Sequence, residues 1–256
     1  MREVQNNRGV CEKNEKKYKS CDGKRMIREK YRRDFCMGMN RILPILFKFD
    51  MVRAILDDRK GATRRIVKGF IPDDAIWGYT EFTPKGYISC RGIFADGYGE
   101  KFFKLPCEPG DILYVRETFD YLEGWKIGDP GIDGKYFYRA DGDLRPVSWR
   151  GKWNPSLHMP KEAARIFLKV TNVCVERLQD ITEDGIRREG VVVDSKNCTG
   201  KFDYVSELFF LFQRLWNSTI KKSDLDSLGW DANPWVWVIE FGLCDKPSEP
   251  YQQNGE

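Results

Sequence analysis

The sequence predicts an α+β fold built around a small β-barrel, with a few flanking helices and long loop insertions. Three observations predict it. Short β-prone runs recur along the chain, only two or three segments have helical periodicity, and Gly- and Pro-rich turns separate them. The composition supports a folded core, because 41% of the 256 residues are hydrophobic and 14% are aromatic. A chain of this length fits one large domain, or one domain with tails.

The first elements surround a polar corner, DDRKGATRRIVKG. Before it, ILPILF predicts a buried strand bounded by Pro44 and Asp50, and Asp50 is the predicted N-cap of a short helix over residues 51–57. The inward face of that helix is predicted to be Val52, Ile55 and Leu56. Because RRIVK is β-prone, the chain passes from a helix into a strand at this corner. The corner crowds a lysine, a threonine and two arginines into the six residues from Lys60 to Arg65.

The middle of the chain predicts strands separated by long loops. Gly, Pro and aromatic residues recur over residues 69–109, which predicts hairpins and loops there. EPGDILYVRETF predicts a strand that starts after the turn Pro109-Gly110-Asp111. Residues 120–156 are loop-like again, apart from the β-prone piece KYFYRA.

A half-buried strand with one irregularity follows in PKEAARIFLKVTNVCVERL. Apolar residues alternate from Ile166 to Val170, whereas Val173 and the valine two residues later carry the opposite phase. A β-bulge at Asn172 would explain this change of phase.

The last third of the sequence predicts two helices and a terminal strand. Thr182 is the predicted N-cap of a helix over residues 183–189, and residues 202–217 form an amphipathic pattern. The inward residues of the second helix are predicted to be Val205, Leu208, Phe209, Phe212, Leu215 and Trp216. PWVWVIEF predicts the last strand, with Trp235 and Trp237 on one face in the core.

These elements define the expected domain organisation. One domain is predicted over residues 39–245, with insertions near 69–109 and 119–158, followed by a polar tail over 246–256. A basic, disordered segment is predicted over residues 1–38.

The positive charge of the chain is concentrated in that first segment. It holds 12 Lys+Arg and 6 Asp+Glu, while the whole chain has a formal net charge of +4. Three interpretations stay open: an arm that contacts nucleic acid, a solvated tail, or a mis-called start with Met39 as the first residue. Since the rest of the chain is slightly acidic, the charge does not mark the folded part as a basic nucleic-acid binder.

Several classes of site have no support in the sequence. The eight cysteines form no CxxC pair, and His158 is the only histidine, so we expect no metal. The sequence contains no GxGxxG or P-loop pattern, and we expect no cofactor. It also shows no transmembrane run and no signal peptide, so we expect a cytoplasmic protein that does not bind membranes.

The corner from Asp58 to Arg65 resembles the signature of the ASCH domain, a family related to the PUA RNA-binding fold. Lys60 matches the lysine of that signature, while Asp58 stands where the family has glycine. PGDILYVRE and VWVIEF resemble barrel strands of the family, and LQDITEDGIRREGV resembles its later helix. The resemblance covers roughly residues 42–243. The sequence looks similar to phage- and prophage-encoded ASCH proteins, and the resemblance implies a PUA-like β-barrel.

The resemblance implies recognition of RNA or a modified nucleoside in a cleft lined by Lys60, Thr63, Arg64 and Glu189. One alternative is more specific, because the small bacterial N4-acetylcytidine amidohydrolases use a lysine, a threonine three residues later and a glutamate on the later helix. Those positions correspond to Lys60, Thr63 and Glu189, which the resemblance makes candidate catalytic residues. A lysine of lowered pKa would take the threonine proton or activate a water molecule. A second alternative is a ribonuclease, since some ASCH proteins are reported to cut RNA.

The residue types alone also allow a plainer interpretation of the corner. Lys60, Arg64 and Arg65 could be ordinary surface charges, and Thr63 could be an ordinary strand residue. In the binding hypothesis, Arg64 and Arg65 instead contact a phosphate or a base edge of the ligand.

Two further pairs are candidate binding residues. Arg116 and Glu117 are neighbours on a predicted strand, so they point to opposite faces and only one can line a cleft. A structural ion pair is the alternative for either of them. Trp149 and Trp153 flank the run Arg150-Gly-Lys, and aromatic residues interleaved with cations can stack unpaired bases or simply pack a loop.

Overall fold

The computed structural model describes residues 41–121, 136–194 and 203–247 and has the predicted α+β class. The predicted segment 1–38 lies outside the described residues, as does the predicted tail after residue 247. In chain order the strands are β1 (Ile42–Leu46), β2 (Ala62–Ile66), β3 (Ile76–Gly78), β4 (Tyr87–Phe94), β5 (Gly97–Lys104), β6 (Ile112–Arg116), β7 (Phe119–Tyr121), β8 (Tyr136–Tyr138), β9 (Phe167–Arg177) and β10 (Trp235–Cys244). The α-helices are α1 (Phe49–Leu56), α2 (Glu183–Arg188), α3 (Tyr204–Asn217) and α4 (Leu225–Leu228).

A five-stranded sheet is the centre of the fold, in the order β1-β6-β9-β10-β2. β1 runs parallel to β6, and the other neighbours are antiparallel. Within the described ranges β1 and β2 form the two edges without pairing, so the sheet is open and no closed barrel is present. One side chain spans the two edges, because Arg65 Nη2 donates a 2.9 Å hydrogen bond to the Leu46 carbonyl oxygen.

The predicted insertions contain small sheets of their own. The region 69–109 holds the antiparallel sheet β3-β4-β5, and the region 119–158 contributes the pair β7-β8. The β4-β5 hairpin has full register from Tyr87–Lys104 to Phe94–Gly97. The KYFYRA piece supplies β8, as its β-prone composition predicts.

The bulge predicted near Asn172 is confirmed. Glu240 pairs with Asn172, but the next residue of β10, Phe241, pairs with Val170. Thr171 is therefore the extra residue in β9, which reverses the phase of the side chains on either side of it.

Some predicted boundaries and orientations are wrong. Helix α1 starts at Phe49 with Lys48 as its N-cap, so Asp50 lies in the first helical turn instead of capping it. The strand ILPIL is an edge strand in which only Ile45 is buried. Val205 is exposed rather than inward, because it lies in the first turn of α3, beyond the packed part of that helix.

Apolar side chains cover both faces of the central sheet. One face joins α1 and strands β1, β6, β9 and β10 in the main core, which includes Val175, Trp237 and Ile239. The opposite face packs against α2 and α3 through Val236, Ile186 and other residues. Since β2 pairs Thr63 with Ile239 and Arg64 with Val238, Thr63 lies on the main-core face and Arg64 on the opposite face. The corner of interest therefore stands where these two cores meet the edge of the sheet.

Candidate functional site: a buried ion-pair cluster

The corner between α1 and β2 is a tight turn fixed by backbone hydrogen bonds. The amides of Arg59 and Lys60 both donate to the Ala54 carbonyl oxygen, at 2.8 and 2.9 Å. Asp58, which the sequence resemblance would align with a glycine, has a left-handed backbone with φ of 56°. Aspartate adopts this conformation more readily than most residues, so the departure from glycine keeps the turn.

Lys60 is brought into contact with Glu189, a residue 129 positions later in the chain. Lys60 Nζ lies 2.6 Å from Glu189 Oε2 and 2.9 Å from the Glu189 carbonyl oxygen. The two residues also form an isolated β-bridge. The next residue, Gly190, allows this approach, since a Cβ there would lie 2.8 Å from Ala54 Cβ. The end of α2 is thereby pressed onto the end of α1.

Arg64 connects Glu189 with a second carboxylate. Arg64 Nη1 lies 3.2 Å from Glu189 Oε1, while Nε and Nη2 lie 2.9 and 2.6 Å from Glu176 Oε1. Glu176 belongs to β9, two strands away from Arg64 in the sheet order. Glu176 was not predicted as a site residue, since its only signal in the sequence was a carboxylate in a half-buried strand.

The four side chains form a charge-balanced cluster that is almost closed to solvent. Their exposed side-chain fractions are 1% for Lys60, 5% for Arg64, 9% for Glu176 and 7% for Glu189. Buried charges of this kind require partners, because removing ions from water costs several kcal/mol per ion. The interpretation of Lys60 and Arg64 as ordinary surface charges is therefore wrong. Arg65 does extend from the corner as an exposed side chain.

Burial has an electrostatic consequence for Lys60. Desolvation lowers the pKa of its ammonium group below the ordinary value of 10.5, although the contact with Glu189 opposes that shift. The ammonium group also lies 5.5 Å from the centroid of the Phe47 ring, which is part of the main core.

Thr63 is near the cluster in sequence but separate from it in contacts. Its side chain is buried, and it makes no side-chain hydrogen bond to any residue of the described ranges. Because Thr63 and Arg64 are consecutive in β2, their side chains leave opposite faces of the sheet. The structure thus joins Lys60, Arg64 and Glu189 and leaves the Thr63 hydroxyl outside their hydrogen-bond network.

Arg116 and Glu117 make their contacts with another part of the fold. Arg116 Nε donates to the Met159 carbonyl oxygen at 3.0 Å, and its Nη2 donates to the Leu157 carbonyl oxygen. Glu117 accepts two hydrogen bonds from Arg165, at 2.9 and 3.1 Å, and is only 1% exposed. Burial raises the pKa of the Glu117 carboxyl, while Arg165 acts in the opposite direction. Arg116 thus connects the end of β6 with the loop around residue 159, and Glu117 connects it with Arg165.

More polar residues that the sequence analysis did not single out lie beside the cluster. Arg188 Nη1 lies 3.0 Å from Glu240 Oε1, and Glu240 pairs in register with both Ala62 and Asn172. Asn172 is 2% exposed, and its Oδ1 has no hydrogen-bond partner within the ranges the structure describes. This face of the sheet is therefore polar at one end and apolar at the end that packs on α3.

Metal-ligand clusters and membrane-spanning helices are both absent from the described parts of the chain. In these parts no group of three or more His, Cys, Asp or Glu residues is arranged to hold a metal ion. None of the helices in the same ranges is long and apolar enough to cross a membrane.

Comparisons with known proteins found no match among protein-family models, curated proteins or solved structures. The site is therefore interpreted from its own geometry and from the resemblance of the corner.

Proposed function

We propose that this chain is an ASCH-type protein, related to PUA-like barrels, that recognises RNA or a modified nucleoside at the Lys60 corner. One observation carries the proposal: the 2.6 Å contact between Lys60 Nζ and Glu189 Oε2. The resemblance paired these two residues although they are far apart in sequence, and nothing in the local pattern required them to meet. The open sheet, whose edges are spanned by Arg65, is compatible with a barrel-like scaffold but lacks its closure.

The cluster has the chemistry needed to read the edge of a base. Lysine and arginine donate hydrogen bonds to base carbonyl oxygens, and a carboxylate accepts from an exocyclic amine such as that of cytosine. Lys60 and Arg64 supply the donors, while Glu176 and Glu189 supply the acceptors. Since these groups are buried, a ligand edge has to replace part of the internal ion pairing. That requirement makes the site selective, because a ligand lacking one group would leave a buried charge unpaired.

Amide hydrolysis is a second candidate, and the lowered pKa of Lys60 favours it. A neutral lysine could take a proton from a water molecule, whose oxygen then attacks the acetyl carbonyl carbon. Collapse of the tetrahedral intermediate breaks the C–N bond, and the proton passes from Lys60 to the leaving amine, with Glu189 orienting the lysine. The alternative route through an acyl-Thr63 requires the Thr63 hydroxyl to approach Lys60, a contact that the hydrogen-bond network lacks.

A single experiment separates these candidates. The purified chain is incubated with N4-acetylcytidine, bound ligand is measured by calorimetry, and released cytidine is measured by mass spectrometry. Lys60→Met is the test variant, and Lys68→Met is the matched control, since Lys68 is an exposed lysine at the end of the same strand region. Thermal unfolding of each variant shows whether it is folded.

The outcomes lead to different conclusions. Release of cytidine by the wild type and Lys68→Met, but not by Lys60→Met, supports the amidohydrolase. Binding without release supports recognition alone. An absence of binding to acetylcytidine, cytidine and a single-stranded RNA by the folded wild type would overturn both candidates.

A further inference from the structure

A concave site lies beside helix α1 and contains none of the residues of the ion-pair cluster. It encloses about 280 Å³ and is lined by Phe49, Arg53, Arg139, Gly142, Asp143 and Trp153. We call it the α1 cleft. Its volume is at the small end of ligand pockets, which begin at about 300 Å³. The cleft therefore has room for one small unit of a ligand.

The α1 cleft contains two arginines without acidic partners. Arg53 and Arg139 are both exposed, and neither forms an ion pair with a carboxylate in the described ranges. The nearby carboxylates are already engaged: Asp141 lies 2.6 Å from Arg165, and Asp143 lies 2.8 Å from Arg145. Among the described residues, the cleft therefore offers two guanidinium groups that no ion pair occupies.

Aromatic contacts hold these arginines in a defined arrangement. The guanidinium carbons of Arg53 and Arg139 lie 5.6 and 4.8 Å from the centroid of the same Phe49 ring. Arg53 Nε also donates a 2.7 Å hydrogen bond to the Ala140 carbonyl oxygen. Two like charges against one ring repel each other, and an anion between them would relieve that repulsion.

Trp153 adds a planar surface to the same cleft. One side of its ring faces Arg145, whose guanidinium carbon lies 3.9 Å from the ring centroid. Arg145 is itself buried, and its guanidinium nitrogens lie 2.8 Å from a carboxylate oxygen of Asp120 and 2.8 Å from one of Asp143. The side chain that packs on this face of the indole is therefore held in place. A fixed indole beside guanidinium groups is a suitable stacking surface for a base.

We propose that the α1 cleft binds one phosphorylated nucleotide, with its phosphate on Arg53 and Arg139 and its base against Trp153. Guanidinium groups bind phosphate oxygens through paired charge-assisted hydrogen bonds, and every base has a face that can stack. The nucleotide is either a free nucleoside monophosphate or one unit of a single-stranded RNA, and in the RNA form the inference rests on the proposed function. The cleft and the Lys60 corner both lie beside α1, since the Lys60 amide donates to the carbonyl oxygen of Ala54, the neighbour of Arg53.

Binding is tested with the full chain and two probes. AMP is titrated by calorimetry, and a fluorescein-labelled 12-nucleotide single-stranded RNA is titrated by anisotropy at several salt concentrations. The test variants are Arg53→Gln, Arg139→Gln and Trp153→Leu. Arg91→Gln is the matched control, since Arg91 is an exposed arginine of β4. Arg139→Gln is the variant expected to disturb folding least, because Arg139 makes no side-chain hydrogen bond in the described ranges, whereas Arg53 does.

We expect each arginine variant to weaken binding about tenfold and to reduce the slope of log affinity against log salt by about 1 for RNA. Trp153→Leu should weaken binding at least fivefold at any salt, whereas Trp153→Phe should keep most of it. Binding of AMP alone identifies a free nucleotide as the ligand, and binding of RNA alone identifies a strand. If neither probe binds, or if Arg53→Gln and Arg139→Gln bind like the wild type, the inference is wrong.

Lys60→Met separates this inference from the proposed function. Loss of RNA binding in Lys60→Met alone would leave the corner as the binding site and overturn the α1 cleft. Loss in the Arg53 and Arg139 variants alone would support the cleft and count against the corner.

Discussion

Two groups of cations beside helix α1 have opposite electrostatic settings. At the corner, Lys60 and Arg65 lie 5.5 and 5.4 Å from the centroid of Phe47. In the α1 cleft, Arg53 and Arg139 lie 5.6 and 4.8 Å from the centroid of Phe49. The difference is in the carboxylates, because Glu189 and Glu176 neutralise the corner while the arginines of the α1 cleft have no acidic partner in the described ranges.

This contrast separates two uses of charge. Buried and paired charges hold elements in place, and their loss is costly because the remaining partner stays in a poorly solvated site. Exposed and unpaired charges contribute little to stability but are available to a ligand. Substitutions at the corner should therefore lower the free energy of unfolding strongly, and substitutions in the cleft should lower it only slightly. Ligand affinity should respond to the cleft substitutions.

The largest expected effect is that of Glu189→Gln. The substitution leaves Lys60 without its carboxylate and Arg64 with only Glu176, so the free energy of unfolding should fall by about 3–5 kcal/mol. Urea denaturation measures the change. Glu183→Gln is the control on the same helix, since its pair with Arg187 is exposed and its loss should lower the stability far less. Equal losses in the two variants would contradict the structural role of the corner.

The next effect concerns two glycines, one at each site. Gly190 and Gly142 both have positive φ, 89° and 96°, so alanine strains the backbone at either position by about 1–3 kcal/mol. A Cβ at Gly190 would also lie 2.8 Å from Ala54 Cβ, whereas nothing lies within 4 Å at Gly142. Gly190→Ala should therefore lose about 1–3 kcal/mol more than Gly142→Ala in chemical denaturation. If Gly142→Ala lost more stability than Gly190→Ala, the close packing around Gly190 would be contradicted.

A pH dependence distinguishes the lysine of the corner from the arginines of the cleft. Because burial lowers the pKa of Lys60, the unfolded chain binds more protons than the folded chain between that lowered pKa and 10.5. The stability of the wild type relative to Lys60→Met should therefore rise with pH through this window. Comparing the two proteins cancels the titration of other groups, such as the buried Cys107 thiol, whose pKa burial raises to about 12. A flat difference would show that the lysine titrates normally.

The smallest effect is expected at the α1 cleft. Arg53→Gln removes an exposed charge and one hydrogen bond to Ala140, so the unfolding free energy should change by about 0.5–1 kcal/mol at most. Thermal or urea unfolding checks this, and a loss of several kcal/mol would assign the arginine a structural role like that of the corner residues.

Local patterns predicted the parts of the fold that depend on neighbouring residues. Thr182 caps α2 as expected, accepting a 3.1 Å hydrogen bond from the Gly185 amide, and the change of phase near Asn172 marks a real bulge. The error at Asp50 is of the same local kind, since Phe49 already has helical geometry.

The composition of the site was harder to predict, because its contacts are long-range. Glu176 meets Arg64 across 112 positions, and no periodicity connects the two. Glu189 was identified through the resemblance of its helix to a family pattern and not through any local signal. That Arg53 and Arg139 form no ion pair in the described ranges could not be predicted either, since the sequence shows charges but not which of them find partners.

The order of the strands has a consequence for how the chain is made. β2 pairs only with β10 in the described sheet, and Lys60 meets Glu189 far downstream. At roughly 5–20 residues per second, on the order of ten to thirty seconds of synthesis separate β2 from its partner strand. Arg64 therefore cannot reach its final position beside β10 and Glu176 until β9 and β10 have been made. This edge of the sheet thus forms late in synthesis, although β2 is made early.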